Sequence, residues 1–233
     1  MALLNKKNSG DLKIALAGNP NSGKTTLFNE LTGSRQHVGN WPGVTVEKKV
    51  GEAIYNKKTI EVVDLPGTYS LGAYSEDEIV ARDFLTSGDY DLVLDIINSS
   101  NLDRNLFFAI QLLEMGVDLI AVLNMADEAK KKGIDIDINK LSAELGIPVV
   151  ETVAKKGEGI DNLLKETVKN KDLKVNGFKI DYGKNIESII NEIINKLYDS
   201  KISKNINKRW AAIKLIEKDP EIYDRLEKEI SNK

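Results

Sequence analysis

One stretch of the sequence combines glycine, lysine and hydroxyl side chains at a spacing suited to holding phosphate. It reads GNPNSGKTTLFNELTG over residues 18–33, with Gly18, four residues, and then Gly23, Lys24 and Thr25. Glycines let successive backbone N–H groups face a phosphate chain, because no Cβ blocks the approach. The lysine supplies charge for the outer phosphates, and the threonine hydroxyl can bind Mg²⁺. The spacing therefore predicts a P-loop that binds a nucleoside triphosphate.

The segments on either side of this loop are those that a P-loop requires. The apolar run LKIALA at 12–17 predicts a strand, and TLFNEL predicts a helix that begins near Gly23. The start of a helix adds unpaired N–H groups and the positive end of the helix dipole. The alternative, a glycine-rich turn before an ordinary helix, is disfavoured because both flanking elements are present.

A second motif, NMAD at 124–127, selects the base. Asn124 and Asp127 follow an apolar run that predicts a strand. A carboxylate at that strand end can accept from guanine N1–H and the 2-amino group, whereas adenine offers neither donor and would leave it unpaired. Common guanine-binding loops carry lysine at the second position, where this chain has Met125. The motif predicts a guanine nucleotide.

Three more positions complete the predicted site. Asp64 in DLPG can hold Mg²⁺ through water, and the Gly67 N–H can meet a γ-phosphate. Thr45 in WPGVTVE lies where a switch loop would close over Mg²⁺. The alternatives are a strand-end cap for Asp64 and an ordinary β-branched strand residue for Thr45. In the last loop, VAKKGEG, the backbone N–H of Ala154 is the expected donor to guanine O6.

These motifs define the predicted site residues. The predicted nucleotide contacts are Gly18, Asn19, Pro20, Asn21, Ser22, Gly23, Lys24, Thr25, Thr26, Gly43, Val44, Thr45, Asp64, Leu65, Pro66, Gly67, Asn124, Met125, Ala126, Asp127, Val153, Ala154 and Lys155. The predicted Mg²⁺ ligands are Thr25, Thr45 and Asp64, and the predicted catalytic residues are Lys24 and Thr45.

Strands alternate with helices along most of the chain. Near-continuous apolar runs at 91–98 and 118–124 are typical of strands buried on both faces of a parallel sheet. Alternating apolar and charged residues on both sides of YNKK predict a hairpin, and polar residues 34–43 predict a loop. With a last strand over 147–153, the pattern indicates an α/β fold with a mostly parallel, doubly wound sheet.

The composition changes after about residue 171. The segment NIESIINEIINKLYDS places six apolar residues on one helical stripe, and two shorter amphipathic helices follow. We therefore expect a nucleotide-binding domain over residues 11–171 and a small all-α domain over residues 172–233. A structural cap and a regulatory element are both compatible with this helical segment.

Composition excludes several function classes. The formal net charge of −3 argues against an electrostatic grip on nucleic acid or anionic lipid. With no cysteine and one histidine, His37, the chain offers no disulfide or thiolate site and few ligands for a transition metal. The chain shows no signal-peptide pattern and no run approaching the ~20 apolar residues of a membrane span, so we expect it to be soluble as given.

The motifs together resemble one known family. GNPNSGKTTLFNELTG, GNWPGVTVEKK, DLPGTYSL, DEIVARDFL, NLDRN and NMADEA resemble the cytosolic GTPase domain of the FeoB family of prokaryotic ferrous iron transport proteins. The resemblance runs over residues 13–159, and the tail resembles the helical domain that follows. It implies a Ras-like G domain that binds GTP and GDP, at the cytoplasmic face of the inner membrane. It also implies a membrane domain beyond this chain that takes up Fe²⁺, and it leaves a homo-oligomer open.

Two positions matter for turnover. Where Ras-like enzymes carry a water-orienting glutamine after DxxG, this chain has Thr68, which predicts slow hydrolysis. Asn21 is similar to the asparagine of GTPases that use a potassium ion beside the phosphates, or it only shapes the P-loop turn. The competing functions are a soluble ribosome-assembly or translation-type GTPase, and a module that binds GTP without hydrolysing it. The missing basic stripe disfavours the former.

Overall fold

The computed structural model describes residues 12–175, 177–197 and 206–231. Within these ranges the strands are β1 (Leu12–Gly18), β2 (Gln36–Asn40), β3 (Glu47–Tyr55), β4 (Lys58–Asp64), β5 (Leu92–Asn98), β6 (Leu119–Asn124) and β7 (Val149–Glu151). The α-helices are α1 (Lys24–Thr32), α2 (Glu76–Ser87), α3 (Leu102–Met115), α4 (Ala126–Lys131), α5 (Ile138–Leu145), α6 (Ile160–Lys169), α7 (Lys184–Lys196), α8 (Lys208–Ile216) and α9 (Pro220–Ser231).

The described strands form one sheet in the order β2-β3-β4-β1-β5-β6-β7. Strand β1 runs parallel to β4 and β5, and β5, β6 and β7 continue in parallel. Strands β2 and β3 are antiparallel to their neighbours. The predicted α/β fold with a mostly parallel sheet is confirmed. Because the carboxyl ends of parallel strands meet at one edge, the loops after β1, β4 and β6 converge there.

The hairpin predicted around YNKK is formed by β3 and β4. Its turn residues Asn56 and Lys57 both have positive φ, 49° and 65°, as a two-residue type I′ turn requires. The loop predicted for residues 34–43 is wrong in part, since Gln36–Asn40 form β2, paired with β3. All five β2 residues are exposed, so backbone pairing rather than burial makes this edge strand.

The helical segment shares buried apolar residues with the rest of the chain. Ile206, Trp210 and Ile222 belong to the same cluster as core residues of α3 and β6. The predicted apolar stripe on α7 divides, because Ile190 is buried whereas Ile189 is 49% exposed. Within the described ranges, every helix is too short or too polar to cross a membrane.

Candidate nucleotide-binding site

Two glycines of the P-loop are required by their surroundings. Gly23 has a φ of +86°, and a Cβ there would lie 2.2 Å from Asn124 Nδ2. Gly18 has a φ of +146°, and its Cβ would lie 2.5 Å from the carbonyl oxygen of Ile96. Both contacts are closer than atoms can approach. The loop between β1 and α1 therefore keeps the tight backbone path that a phosphate cradle needs.

A cleft opens at the start of α1. Its volume is ≈ 550 Å³, within the range of about 300–1,000 Å³ that small-molecule sites occupy. The residues that line it are Asn19, Pro20, Asn21, Gly23, Lys24, Thr25, Thr26, Gly67 and Met125. The structure thus brings together the predicted P-loop, the glycine of DLPG and the methionine of NMAD.

The P-loop lysine is held by the carboxylate of DLPG. Lys24 Nζ donates to Asp64 Oδ1, and both side chains are almost completely buried. Burial raises the pKa of the Asp64 carboxyl, and the Lys24 ammonium opposes that rise. A phosphate chain in the cleft would offer Lys24 a different anion, and the carboxylate would then be available to a hydrated cation.

The donor set suits Mg²⁺ better than a transition metal. The Thr25 hydroxyl lies on the exposed first turn of α1, and Asp64 contributes one carboxylate at the adjoining strand end. Hydroxyl and carboxylate oxygens are hard ligands of the kind Mg²⁺ takes, with water and phosphate oxygens completing the shell. Among the described residues, no group of three or more His, Cys, Asp or Glu side chains could hold a metal.

The predicted switch loop lies away from this cleft. Gly43, Val44 and Thr45 are not among the lining residues, and the Thr45 hydroxyl donates to Glu76 Oε2 of α2 at 3.4 Å. Trp41 anchors the loop on the same helix, with its ring 5.4 Å from that of Phe84 in an edge-on contact. Thr45 must leave α2 to reach a cation beside the phosphates.

Asn124 ties the base loop to the P-loop and to the last loop. Its Nδ2 donates to the Ser22 carbonyl at 3.0 Å, and its Oδ1 accepts from the Thr152 hydroxyl at 3.2 Å. Oδ1 also accepts from the Ala154 N–H at 3.0 Å. In this structure the Ala154 N–H is donated to Asn124, and its donation to guanine O6 stays a prediction. Asn124 therefore links the base loop to two other loops through its side-chain amide.

Asp127 has a partner that the motif did not reveal. Lys156 Nζ lies 2.8 Å from Asp127 Oδ2, and this hydrogen bond holds the pKa of the Asp127 carboxyl below its ordinary value. The predicted contact Lys155 is exposed. The sequence signal was the lysine pair of VAKKGEG, but adjacent residues of a loop point in different directions, and spacing could not choose between them.

Other predicted residues occupy defined places around these groups. Asn21 has a φ of 63°, an uncommon value for a residue with a side chain, and it is exposed in the cleft. The Thr68 side chain is buried, and its backbone N–H donates to the Gly18 carbonyl at 3.3 Å. The remaining predicted contacts, which are buried or half-buried, are Ser22, Leu65, Pro66, Ala126 and Val153.

Comparison with known families accounts for both parts of the chain. The family model described as Ferrous iron transport protein B matches residues 12–167, and that of the FeoB cytosolic helical domain matches residues 182–233. The chain belongs to the FeoB family. The FeoB assignment covers the P-loop sheet and the helical segment alike, and it does not favour a ribosome-assembly or translation-type GTPase.

FeoB relatives extend well beyond this chain. The Escherichia coli K12 Fe(2+) transporter FeoB is 44% identical over 220 residues, which cover 92% of this chain and 28% of that protein. The chain therefore spans about 28% of the length of such curated relatives.

Solved FeoB structures share the whole architecture. The cytosolic domain of T. maritima FeoB in a GDP form is 47% identical, with a TM-score of 0.86 over 91% of this chain and 83% of that one. The same domain in a GMPPNP form is also 47% identical, with a TM-score of 0.87 over 91% of this chain and 84% of that one. The fold is that of a P-loop G domain followed by a helical domain.

Proposed function

We propose that this chain is the GTP-hydrolysing switch of a ferrous iron transporter. Its nucleotide state would be coupled to Fe²⁺ uptake by a membrane domain, and it would lie at the cytoplasmic face of the inner membrane. The observation that carries the proposal is the set of hydrogen bonds made by the Asn124 side chain, which joins the P-loop to the loops bearing Asp127 and Ala154. The residues proposed to bind the phosphates and the guanine thereby lie at one sheet edge.

The predicted contacts would then divide the work. Lys24, released from Asp64, would bind the outer phosphates, and the glycine-rich backbone would donate N–H groups to them. Thr25, Thr45 and Asp64, the last through water, would hold Mg²⁺, which when bound neutralises charge on the phosphates. Thr45 would exchange its bond to Glu76 for this site only in the triphosphate state.

Hydrolysis is proposed to be slow. Thr68 is buried and is not among the residues that line the cleft, where an attacking water would lie. Without a water-orienting amide we expect a rate on the order of 10⁻⁴–10⁻³ s⁻¹, as in an unassisted Ras-type enzyme. The helical domain, which we assign to residues 172–233 beside a G domain of 11–171, would carry the switch state onward to a membrane domain or to a second copy.

Potassium is expected to accelerate hydrolysis. Asn21 is exposed in the cleft, so its amide oxygen can contribute to a monovalent cation site beside the phosphates, where charge develops. At equal ionic strength, GTP hydrolysis should be up to about 10²-fold faster in potassium than in sodium chloride, which is the scale of one such electrostatic contact. Phosphate release from GTP measures the rates. The difference should vanish in Asn21→Ala and persist in the control Asn162→Ala, which removes an exposed amide from α6. Equal rates of the parent in both salts would rule out the cation role.

The proposal is tested by nucleotide choice. Calorimetry should show micromolar or tighter binding of GDP and a GTP analogue, and at least about 10²-fold weaker binding of ATP, because adenine offers the Asp127 carboxylate neither of the two donors that guanine does. If ATP binds as tightly as GTP, the assignment of NMAD to guanine recognition fails.

A further inference from the structure

Lys156 comes from a loop whose backbone is closely fixed. The Val153 N–H donates to the Glu158 carbonyl at 3.0 Å, and the Lys156 N–H returns to the Val153 carbonyl at 2.9 Å. The next residue, Gly157, has a φ of 69° and donates to the Ala154 carbonyl at 3.0 Å. These bonds fix the backbone at Lys156 opposite α4, and its side chain, 50% exposed, reaches Asp127 from there.

Asp127 lies in the first turn of α4 with its side chain 24% exposed. Lys156 Nζ lies 2.8 Å from Oδ2, and a carboxylate that accepts from one ammonium keeps further lone pairs for a base. The position after Asn124, where many guanine loops carry lysine, is Met125 in this chain. The nearest cation to the base-reading carboxylate is therefore supplied by a different loop.

We propose that Lys156 is a positioning residue for guanine recognition, whose ammonium fixes the Asp127 carboxylate in the orientation that accepts from N1–H and the 2-amino group. The inference rests on the proposed guanine specificity. A two-oxygen contact to a planar base requires one carboxylate rotamer, and an anchored oxygen limits the rotation that would lose it. Lys156 itself touches the carboxylate rather than the nucleotide.

The charged groups around Asp127 give the proposal a pH readout. Lys156 faces it from the last loop, Lys131 acts from its own helix, and the Glu128 N–H also donates to it, while Glu158 acts on Lys156. Asp127 thus has a lowered folded-state pKa, and its carboxylate persists to lower pH than usual. Without Lys156, protonation of Asp127 would begin at a higher pH, so guanine binding would weaken earlier on acidification.

The test compares GDP with IDP, which lacks the 2-amino group, by calorimetry from about pH 3.5 to pH 7, a window that spans the ordinary Asp pKa of about 3.9. Lys156→Met should weaken GDP binding about three- to tenfold, more than IDP binding, and shift the acid limb to higher pH. Lys156→Arg should restore both properties. Lys165→Met, which removes an exposed charge from α6, should behave as the parent.

Two outcomes overturn the inference. One is equal GDP affinity in Lys156→Met and Lys165→Met. The other is an equal loss of GDP and IDP binding with an unchanged pH profile, which would indicate general attraction to the phosphates. If Asp127→Asn alters base preference while Lys156→Met does not, only the positioning role fails. If neither does, guanine reading by Asp127 fails as well.

Discussion

The Asp127→Asn variant is expected to lose affinity for GDP and to gain affinity for xanthosine diphosphate. An amide in place of the carboxylate no longer matches the two guanine donors, but its NH₂ can donate to the 2-oxo group of xanthine. Lys156, which has lost its anionic partner, would leave a positive charge beside that oxygen. We expect GDP affinity to fall on the order of 10²-fold or more, with xanthosine diphosphate binding more tightly than GDP.

Competition calorimetry with the two diphosphates measures this exchange. Asp135→Asn is the matched control, because it removes the same charge from an exposed position beyond α4. A substitution of Asn124 could not serve as the control, because it would disconnect the P-loop from the Thr152 hydroxyl and the Ala154 N–H. A variant that keeps its preference for GDP would remove Asp127 from base recognition.

Local patterns predicted the fold well. Buried parallel strands are written as continuous apolar runs, and β5 and β6 are nearly as predicted. The glycines of the P-loop were readable because their backbone φ values and close contacts admit no other residue. The apolar runs and the positive φ values are local and could be predicted from neighbouring residues, whereas the contacts of Gly18 and Gly23 are with Ile96 and Asn124, far along the chain.

The errors concern contacts between distant parts of the chain. Strand β2 was missed because an exposed edge strand needs no apolar alternation, only a neighbouring backbone. The hydrogen bond from the Ala154 N–H to Asn124, which the motifs did not predict, joins residues thirty apart in sequence. The exposure of Ile189 on α7 likewise depends on which helices pack beside it, which the period of the stripe does not specify.

The least predictable contact is a buried ion pair between α2 and α9. Arg82 Nη1 lies 2.8 Å from Asp219 Oδ2, with side chains 1% and 5% exposed, and Arg82 Nη2 contacts Glu221. Asp219 also accepts from the backbone N–H groups of Glu221 and Ile222, at 3.1 and 3.2 Å, and so caps α9. Because α2 follows the DLPG loop, this pair joins the segment after that loop to the helical domain.

Arg82→Met is expected to lower the free energy of unfolding by about 3–5 kcal/mol. The substitution keeps most of the apolar stem but leaves the Asp219 carboxylate buried without its main counter-charge. For a chain of this size, the melting temperature should fall by roughly 6–20 °C. Thermal and denaturant unfolding measure the change. Lys196→Met is the control, since the Lys196 pair with Glu192 on α7 is 74% and 66% exposed and should contribute little to stability.

A second variant separates the unpaired charge from a packing defect. Asn at position 219 can still accept the two N–H bonds that cap α9, yet it carries no charge, so Asp219→Asn added to Arg82→Met should recover most of the lost stability. A packing defect at Arg82 would instead persist in the double variant, because the cavity beside α2 would be unchanged. Equal losses in Arg82→Met and Lys196→Met would also contradict the assignment, since an exposed pair cannot match the cost of stranding a buried carboxylate.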